Sequence, residues 1–390
     1  MKKIRYGIIG VGNQGSYYST AIFDAGLAKD ACLTAICDNN PAKIERIKTE
    51  LKNITPEYFD NYIDMLDSGL CDAILIETPH YDHVEMVKEC LKRDIHVVCE
   101  KPAGVYAAEV KDMNRAADNA RAKFGMMFNQ RTNPFYQKMR EIISSGELGQ
   151  LQRVTWIITD WFRTQAYYDS GSWRATWNGE GGGVLINQCP HQLDLISWIT
   201  GEQPEYVTGH CQYGRWHDIE VEDEVTAFLE YKSGATGVFI TTTGEAPGTN
   251  RLEISGTRGK LICDGKSLSY YKNSACTQEW LYNLDNGYKR PTVEVITFDY
   301  KSDNMQHADI INNFTAALLG KEEMFVDGRE GINGVELMNA IEYSGWNGGI
   351  RVKLPVDENE YLRILEQKRK TSRFKPEGND KVSDNAASYH

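Results

Sequence analysis

The sequence predicts an α/β plus α+β protein: a parallel sheet clothed by helices, then a domain with a large, mostly antiparallel open sheet. Three observations carry that expectation. Over the first third of the chain, short apolar runs alternate with helical patterns, as strands joined by crossover helices do. After "AKFGMMFNQRTNP" the pattern becomes a series of extended segments with period-two alternation, separated by turns such as "KSGA" and "GTRG". At 390 residues the chain is also long for one compact unit.

Composition narrows the function classes. Apolar residues make up 41% and charged residues 25%, an ordinary globular balance. A net charge of −12, from 43 basic and 55 acidic residues, leaves no basic stripe for nucleic acid. A local pocket can still carry the opposite sign. The nine cysteines are irregularly spaced and form no C-x-x-C pair, so neither a zinc ribbon nor a thioredoxin site is expected. Most sit in apolar runs such as "LTAIC", as small buried hydrophobes in a reducing compartment. "MKKIRYGIIG" becomes a strand and a glycine turn rather than a signal segment, and no apolar run approaches membrane-spanning length. A cytoplasmic location with no membrane partner is expected.

The first apolar segment runs into a turn holding Gly10, Gly12 and Gly15, then into a helical pattern. At this G-x-G-x-x-G spacing each glycine has its own task. Gly10 permits the tight turn, Gly12 lets backbone amides approach a pyrophosphate, and Gly15 allows close packing of helix on strand. The helix N-terminus beyond adds a potential favourable to phosphate. A second strand, "CLTAIC", ends at Asp38, 23 residues after Gly15, near where an acidic residue binds the adenosine ribose hydroxyls. A carboxylate there repels a 2′-phosphate and favours NAD, with Lys43 and Arg46 leaving NADP as the lesser alternative. These features predict a Rossmann domain over residues 1–124, with cofactor contacts from Gly10, Gly12, Asn13, Gln14, Gly15 and Asp38.

Strand–helix alternation continues through "CDAILIETP", a helix from His83, and "HVVCEKP". The endings "ETPHYDH" and "CEKPAG" place Thr78, Pro79, Glu100 and Lys101 at carboxyl ends of strands, where open α/β sheets bind ligands. His83 and Asn129 complete the expected cofactor set. Lys101 lies between a buried strand and a proline, with little room to reach solvent. That placement favours a catalytic or nicotinamide-side lysine over a solvated one. His80 and His83 are spaced i, i+3 but lack a nearby third ligand, so no metal site is expected.

A helix from about Phe135 to Ser145 opens the second domain, expected over 125–375. Strands are expected in "QRVTWIITDW", "PEYVTGHCQY", "EVTAFLEYK", "ATGVFITTTG", "NRLEISGT" and "GKLICDG". One face of such a sheet needs cover from helices or from another subunit. "HADIINNFTAALLG" and "EGINGVELMNAIEYSGWNGG" supply two amphipathic helices, and residues 376–390 read as a polar tail.

In "EGGGVLINQCPHQLDLISWITG", Asn187, His191, Asp194 and Trp198 fall near one face of a single helix. Pro190 cannot donate to the Ile186 carbonyl and is expected to kink that helix, re-aiming His191. The residues alone leave His191 as either a core histidine bonded to a carbonyl or a ligand-facing base. Upstream, "DWFRTQAYYDSGSWRATW" gathers Trp161, Trp173, Trp177, two tyrosines, Arg163 and Arg174 within 18 residues. Flat aromatics with Arg and Asn donors suit the C–H faces and hydroxyl edges of sugars. The alternative is that these rings pack between domains.

The G-x-G-x-x-G turn, "EKP" at Glu100–Pro102 and the glycine-led segment with its histidine together resemble the Gfo/Idh/MocA oxidoreductase family. The resemblance spans nearly the whole chain, and the aromatic segment is similar to a sugar-handling branch. It implies an NAD(P)-dependent enzyme moving hydride between nicotinamide and a carbon of a sugar, cyclitol or related compound. The family's site pairs the EKP lysine with D-x-x-x-H. Lys101 and His191 match, but Asn187 stands at the aspartate position. An amide can bind a hydroxyl but cannot carry a proton, and it pulls less on the histidine's pKa.

On this resemblance His191 is the base, with a pKa suited to neutral pH. Lys101 stabilises the reacting oxygen, and Asn187 fixes a neighbouring hydroxyl. Lys101, Trp161, Arg163, Trp173, Arg174, Asn187 and His191 form the expected substrate set. The expected function is an NAD-dependent dehydrogenase acting on a secondary hydroxyl, or the matching ketone, of a sugar, glycoside or inositol, with ring carbon C3 one candidate position. The alternatives are a glycosidase using tightly bound NAD in transient oxidation and elimination, and a non-catalytic NAD/sugar sensor. The family also implies a homo-oligomer paired through the open sheet face.

Overall fold

Parallel strands with apolar side chains on both faces need helices on both sides, and the first sheet, of six strands, has that form. It comprises β1 (Ile4–Ile9), β2 (Ala31–Cys37), β3 (Glu57–Phe59), β4 (Ala73–Ile76), β5 (His96–Cys99) and β6 (Phe124–Met126). The order is β3-β2-β1-β4-β5-β6, and every pair is parallel. Chain direction across the sheet reverses between β1 and β4, which opens a crevice at their carboxyl ends. The computed structural model describes residues 3–282, 286–300 and 305–373, so the expected tail at 376–390 lies outside the described residues.

β6 runs through Met126, two residues past the expected limit at 124, because Gly125 and Met126 pair with Val98 and Cys99. The helix after the glycine turn also differs from a plain α-helix. It is α over Asn13–Tyr17 and π over Tyr18–Asp24. Within it the Ser19 and Thr20 hydroxyls bond back to the Gly15 and Ser16 carbonyls, at 2.7 and 2.8 Å, a competition with the main-chain ladder.

The second sheet has nine strands: β7 (Leu151–Ile158), β8 (Pro204–Tyr213), β9 (Glu222–Tyr231), β10 (Thr236–Thr242), β11 (Asn250–Gly256), β12 (Gly259–Cys263), β13 (Leu268–Asn273), β14 (Val293–Phe298) and β15 (Arg351–Lys353). Their order is β14-β13-β12-β11-β7-β10-β9-β8-β15. Only the central β7–β10 pair is parallel. Helices cover one face. Gly331–Trp346 lies on β8, where Gly209 admits it: a Cβ there would meet the Ile341 carbonyl oxygen at 2.6 Å. Pro134–Ser144 reaches β7 through Tyr136 against Trp156. The opposite face is open, with Phe228 of β9 43% exposed.

The two sheets are tied together by elements far apart in sequence. Tyr6 Oη and Thr315 Oγ1 are 2.8 Å apart. Asn339 donates to the Val105 carbonyl at 3.0 Å and accepts from the Ala107 N–H at 2.9 Å. These contacts tie β1 and the segment after β5 to the helices His307–Leu318 and Gly331–Trp346. Among the described residues no helix is long and apolar enough to cross a membrane.

Candidate active site

The glycine turn follows β1 directly. Gly10 has φ +91°, and a Cβ there would lie 2.7 Å from the Glu77 carbonyl oxygen. A Cβ on Gly15 would lie 1.9 Å from the Gly10 carbonyl oxygen, whereas one on Gly12 would meet nothing within 4 Å. The outer glycines are therefore required by packing, and the middle one faces open space at the mouth of the crevice. Asn13 and Gln14 begin the helix beyond. Asp38, at the end of β2, accepts from the Val11 and Asn40 N–H groups at 2.9 Å each. Those bonds fix its carboxylate beside the turn with acceptor capacity left for ribose hydroxyls. Arg46 donates to the Val11 carbonyl at 2.6 Å and to Ser16 Oγ at 2.8 Å.

Across the crevice, Thr78 and Pro79 follow β4. His83 does not turn its ring towards this space. Its nitrogens face the Pro102 and Thr78 carbonyls at 2.8 and 2.9 Å, so it joins the β4 and β5 loops. Glu100 accepts from the Tyr18 hydroxyl and from the Lys101 N–H. Burial raises its pKa, and burial together with Glu100 raises that of Glu77. Asn129 donates to Gln306 Oε1 at 2.9 Å, while its own Oδ1, buried, has no partner among the described residues. An orphaned acceptor, the open space at Gly12 and the Asp38 carboxylate all fit a dinucleotide with a carboxamide head.

Lys101, at the carboxyl end of β5, crosses to the second domain. Its Nζ donates to the Asn187 backbone carbonyl at 2.9 Å, leaving two further N–H groups. Burial lowers its pKa, partly offset by Glu100 and Glu180. The single helix expected around Asn187 and His191 is two helices, Val184–Asn187 and Pro190–Thr200. Pro190 is the first residue of the second, a position where its missing N–H costs nothing. The chain therefore breaks at Gln188–Cys189 instead of kinking, and Asn187 and His191 lie on different helices.

His191 is buried, and its Nδ1 has no partner among the described residues. Burial, then the charge of Lys101, pushes its pKa well below the ordinary imidazole value, not to the neutral range expected from sequence. The ring is held neutral, with a free lone pair to accept a proton.

Asn187 is the centre of a polar knot that sequence reading missed. Its Nδ2 donates to Glu180 Oε1, and its Oδ1 accepts from Tyr167 Oη and Gln188 Nε2, each at 3.3 Å. Arg174 donates to Tyr167 Oη at 2.8 Å and stacks on the Tyr167 and Trp173 rings. Arg163 lies over Tyr167 and Trp161, with a buried Nε that has no partner among the described residues; Trp161 Nε1 is in the same state. Trp173 meets the His80 ring edge-on at 5.7 Å. Trp177 instead packs against Tyr213 and Trp346. His307, from the far end of the sequence, meets the Tyr17 ring edge-on and the Tyr18 ring at a tilt, and burial lowers its pKa to about 3. Among the described residues no group of three or more His, Cys, Asp or Glu could hold a metal ion.

Comparison with known proteins matches both domains of this fold. Residues 4–128 match a family model described as an oxidoreductase family with an NAD-binding Rossmann fold, and residues 136–262 match the GFO/IDH/MocA C-terminal domain. The inositol 2-dehydrogenase of Rhizobium meliloti is 24% identical over 86% of this chain and 95% of that protein. The rhizopine catabolism protein MocA of Rhizobium meliloti is 28% identical over 52% of this chain, a match spanning 59% of that protein. A crystal structure of the WlbA dehydrogenase from Bordetella pertussis, in complex with NADH and UDP-GlcNAcA, aligns with a TM-score of 0.75 at 29% identity. That alignment covers 91% of this chain and all of the other. With both family models matched in order on this two-sheet fold, the chain belongs to the Gfo/Idh/MocA family and is an NAD-binding oxidoreductase.

Proposed function

We propose that the protein is a dehydrogenase that moves hydride between NAD and a secondary hydroxyl, or the matching ketone, of a sugar, glycoside or inositol. One observation carries the reading. Lys101 leaves the cofactor sheet and bonds the Asn187 carbonyl, so the crevice and the Tyr167–Arg174–Asn187 knot form one site. The relatives act in the same sense, being a dehydrogenase of inositol and one crystallised with a nucleotide sugar acid.

A bound nicotinamide supplies the hydride acceptor. The chain does the rest. His191 takes the hydroxyl proton, and Lys101 donates a hydrogen bond to the oxygen as negative charge develops on it. Asn187 and the Arg163, Arg174, Trp161 and Trp173 surface orient the ring. A second copy paired through the open face of the nine-stranded sheet would cover Phe228.

The test is reduced-nicotinamide absorbance with NAD or NADP and a panel of sugars, inositols and glycosides, with released aglycone assayed in parallel. NADH formation on one class of substrate supports the reading. Aglycone release without net NADH moves the assignment to a redox-assisted glycosidase, and ligand binding without turnover to a sensor.

Two further results are expected from the same assay. Removal of the Asp38 carboxylate in Asp38→Ala raises the KM for NAD roughly ten- to a hundredfold and narrows the preference over NADP, as loss of charged hydrogen bonds to ribose requires. An unchanged KM would count against Asp38 as the ribose contact. The pH profile of kcat/KM should have its acid limb well below 6.5, because His191 is held neutral, and its alkaline limb below 10.5, because burial weakens the Lys101 ammonium. A limb centred at the ordinary histidine value would remove His191 from the role of base.

A further inference from the structure

Glu180 opens the glycine run and has no role in the reading above. It is 2% exposed. Its Oε1 accepts from Asn187 Nδ2, its Oε2 accepts from the Ala175 N–H, and its backbone carbonyl accepts from His80 Nδ1 at 3.0 Å. The backbone on both sides is confined. A Cβ on Gly179 would lie 2.6 Å from Trp173 backbone atoms, and one on Gly181, with φ +91°, would lie 2.4 Å from Val105 Cγ1. The backbone that carries the carboxylate is therefore fixed, and the two carboxylate oxygens are held by Asn187 and the Ala175 N–H.

The carboxylate lies among charges. Lys101 and Arg174 act on Glu180 from β5 and from the aromatic segment. Glu222 of β9 and Tyr168 feel its negative charge. Lys101 itself faces Glu100, Glu180, Arg174 and Cys189, and its charge is felt by His80, His83, His191, His307 and Glu77. Of the two carboxylates on Lys101, Glu100 is engaged on the cofactor side by Tyr18 and the Lys101 N–H. Glu180 is the one on the second-domain side. It grips the amide of the same residue whose carbonyl receives the Lys101 ammonium.

We propose that Glu180 is the positioning carboxylate of this centre: it fixes the Asn187 amide and keeps the Lys101 ammonium charged and aimed at the reacting oxygen. The inference rests on Lys101 having the role given above. An amide at 187 cannot itself carry negative charge, so the carboxylate seven residues earlier supplies it through the turn that the glycines permit. Burial raises the Glu180 pKa, whereas Arg174, the Ala175 N–H, Asn187 and Lys101 all favour the ionised form.

Glu180→Gln keeps the volume and one acceptor while removing the charge. It is expected to lower kcat roughly 10- to 100-fold with KM for NAD unchanged. The alkaline limb of kcat should move to lower pH, since loss of a nearby anion makes the Lys101 ammonium easier to deprotonate. The exchange variant Glu180→Gln/Asn187→Asp returns a carboxylate to the knot, and should recover a large part of kcat and move the limb back. An unmoved limb in Glu180→Gln, or a loss the exchange variant does not relieve, would overturn the inference. Should Glu180→Gln fail to fold, the exchange variant is read by itself: its single relocated carboxylate should keep kcat within about tenfold of wild type and leave the limb near its wild-type position, and a limb shifted to lower pH there is equally fatal. Full activity in Lys101→Ala would instead remove the reading beneath, whatever Glu180 does.

Discussion

Lys101→Ala is expected to lower kcat/KM for hydride transfer roughly 100- to 1,000-fold, the usual cost of losing one donor aimed at a developing oxyanion. Binding of NAD should change little, because the glycine turn, Asp38 and Asn129 do not depend on the lysine. The fold should also survive. Lys101 is an ammonium in a site that lowers its pKa, so its removal relieves a desolvation cost while leaving Arg174 to balance Glu180. Equal thermal midpoints for variant and wild type would show the loss to be chemical. Lys101→Arg is not expected to restore the rate, since a planar guanidinium cannot both bond the Asn187 carbonyl and present a compact donor beside it. Retention of more than about a tenth of wild-type kcat/KM in Lys101→Ala, well outside the expected range, would remove Lys101 as the oxyanion partner.

Much of the fold was legible because its signals are local. The glycine spacing, the largely apolar strands β1, β4 and β5, and the alternation in β8, β9 and β10 each follow from residues within one element. The missing parts depend on distant partners. β15 has only three residues and exists by pairing with β8. β14 is an edge strand whose valines Val293 and Val295 are about half exposed, so no buried face marks it. The helix Glu358–Lys370 buries few side chains, Tyr361 and Leu365 among them, and its charged surface reads as loop. The break at Gln188–Cys189 was visible in Pro190, but the helical stripe across it outweighed the proline.

The site was legible by motif and not by contact. Lys101 bonds the Asn187 carbonyl, Arg174 reaches the Asn187 side chain through Tyr167, and Trp161, Arg163 and Trp173 join them through Tyr167 and His80. His83, expected in the cofactor set, has both ring nitrogens against backbone carbonyls. Glu180 was overlooked because a glutamate before three glycines looks like a solvated turn. Only the folded chain shows that the glycines carry it inward. The neutral pKa expected for His191 failed for a related reason, since desolvation depends on everything packed around the ring.

The largest expected effect on stability belongs to Asp194, which the sequence placed on the same stripe as His191. Asp194 and Arg131 are both 1% exposed and bond in a two-pronged pair, Nε to Oδ2 at 2.8 Å and Nη2 to Oδ1 at 2.6 Å. Burial works most strongly against the Arg131 charge, but Asp194 and Glu330 together outweigh it and hold its pKa above the ordinary value. Asp194→Asn leaves that guanidinium with one neutral amide oxygen in place of the two-pronged carboxylate, beside Glu330 on Nη1 and the faces of Phe128 and Trp198. Breaking one side of a buried pair costs about 3–5 kcal/mol, and the Glu330 contact places the expected loss at the lower end, read by urea unfolding. Asp194→Leu combined with Arg131→Met removes both charges and should recover most of it, because the desolvation cost disappears with the attraction. A loss below about 1 kcal/mol in the single variant would show that water reaches the pair. Activity separates packing from aim, since Asp194 lies one turn beyond His191 on the same helix. A stable double variant with near wild-type kcat would limit the pair to joining that helix to the short helical turn Asn129–Thr132 after β6. A stable double variant with depressed kcat would show that the ion pair also sets where His191 points.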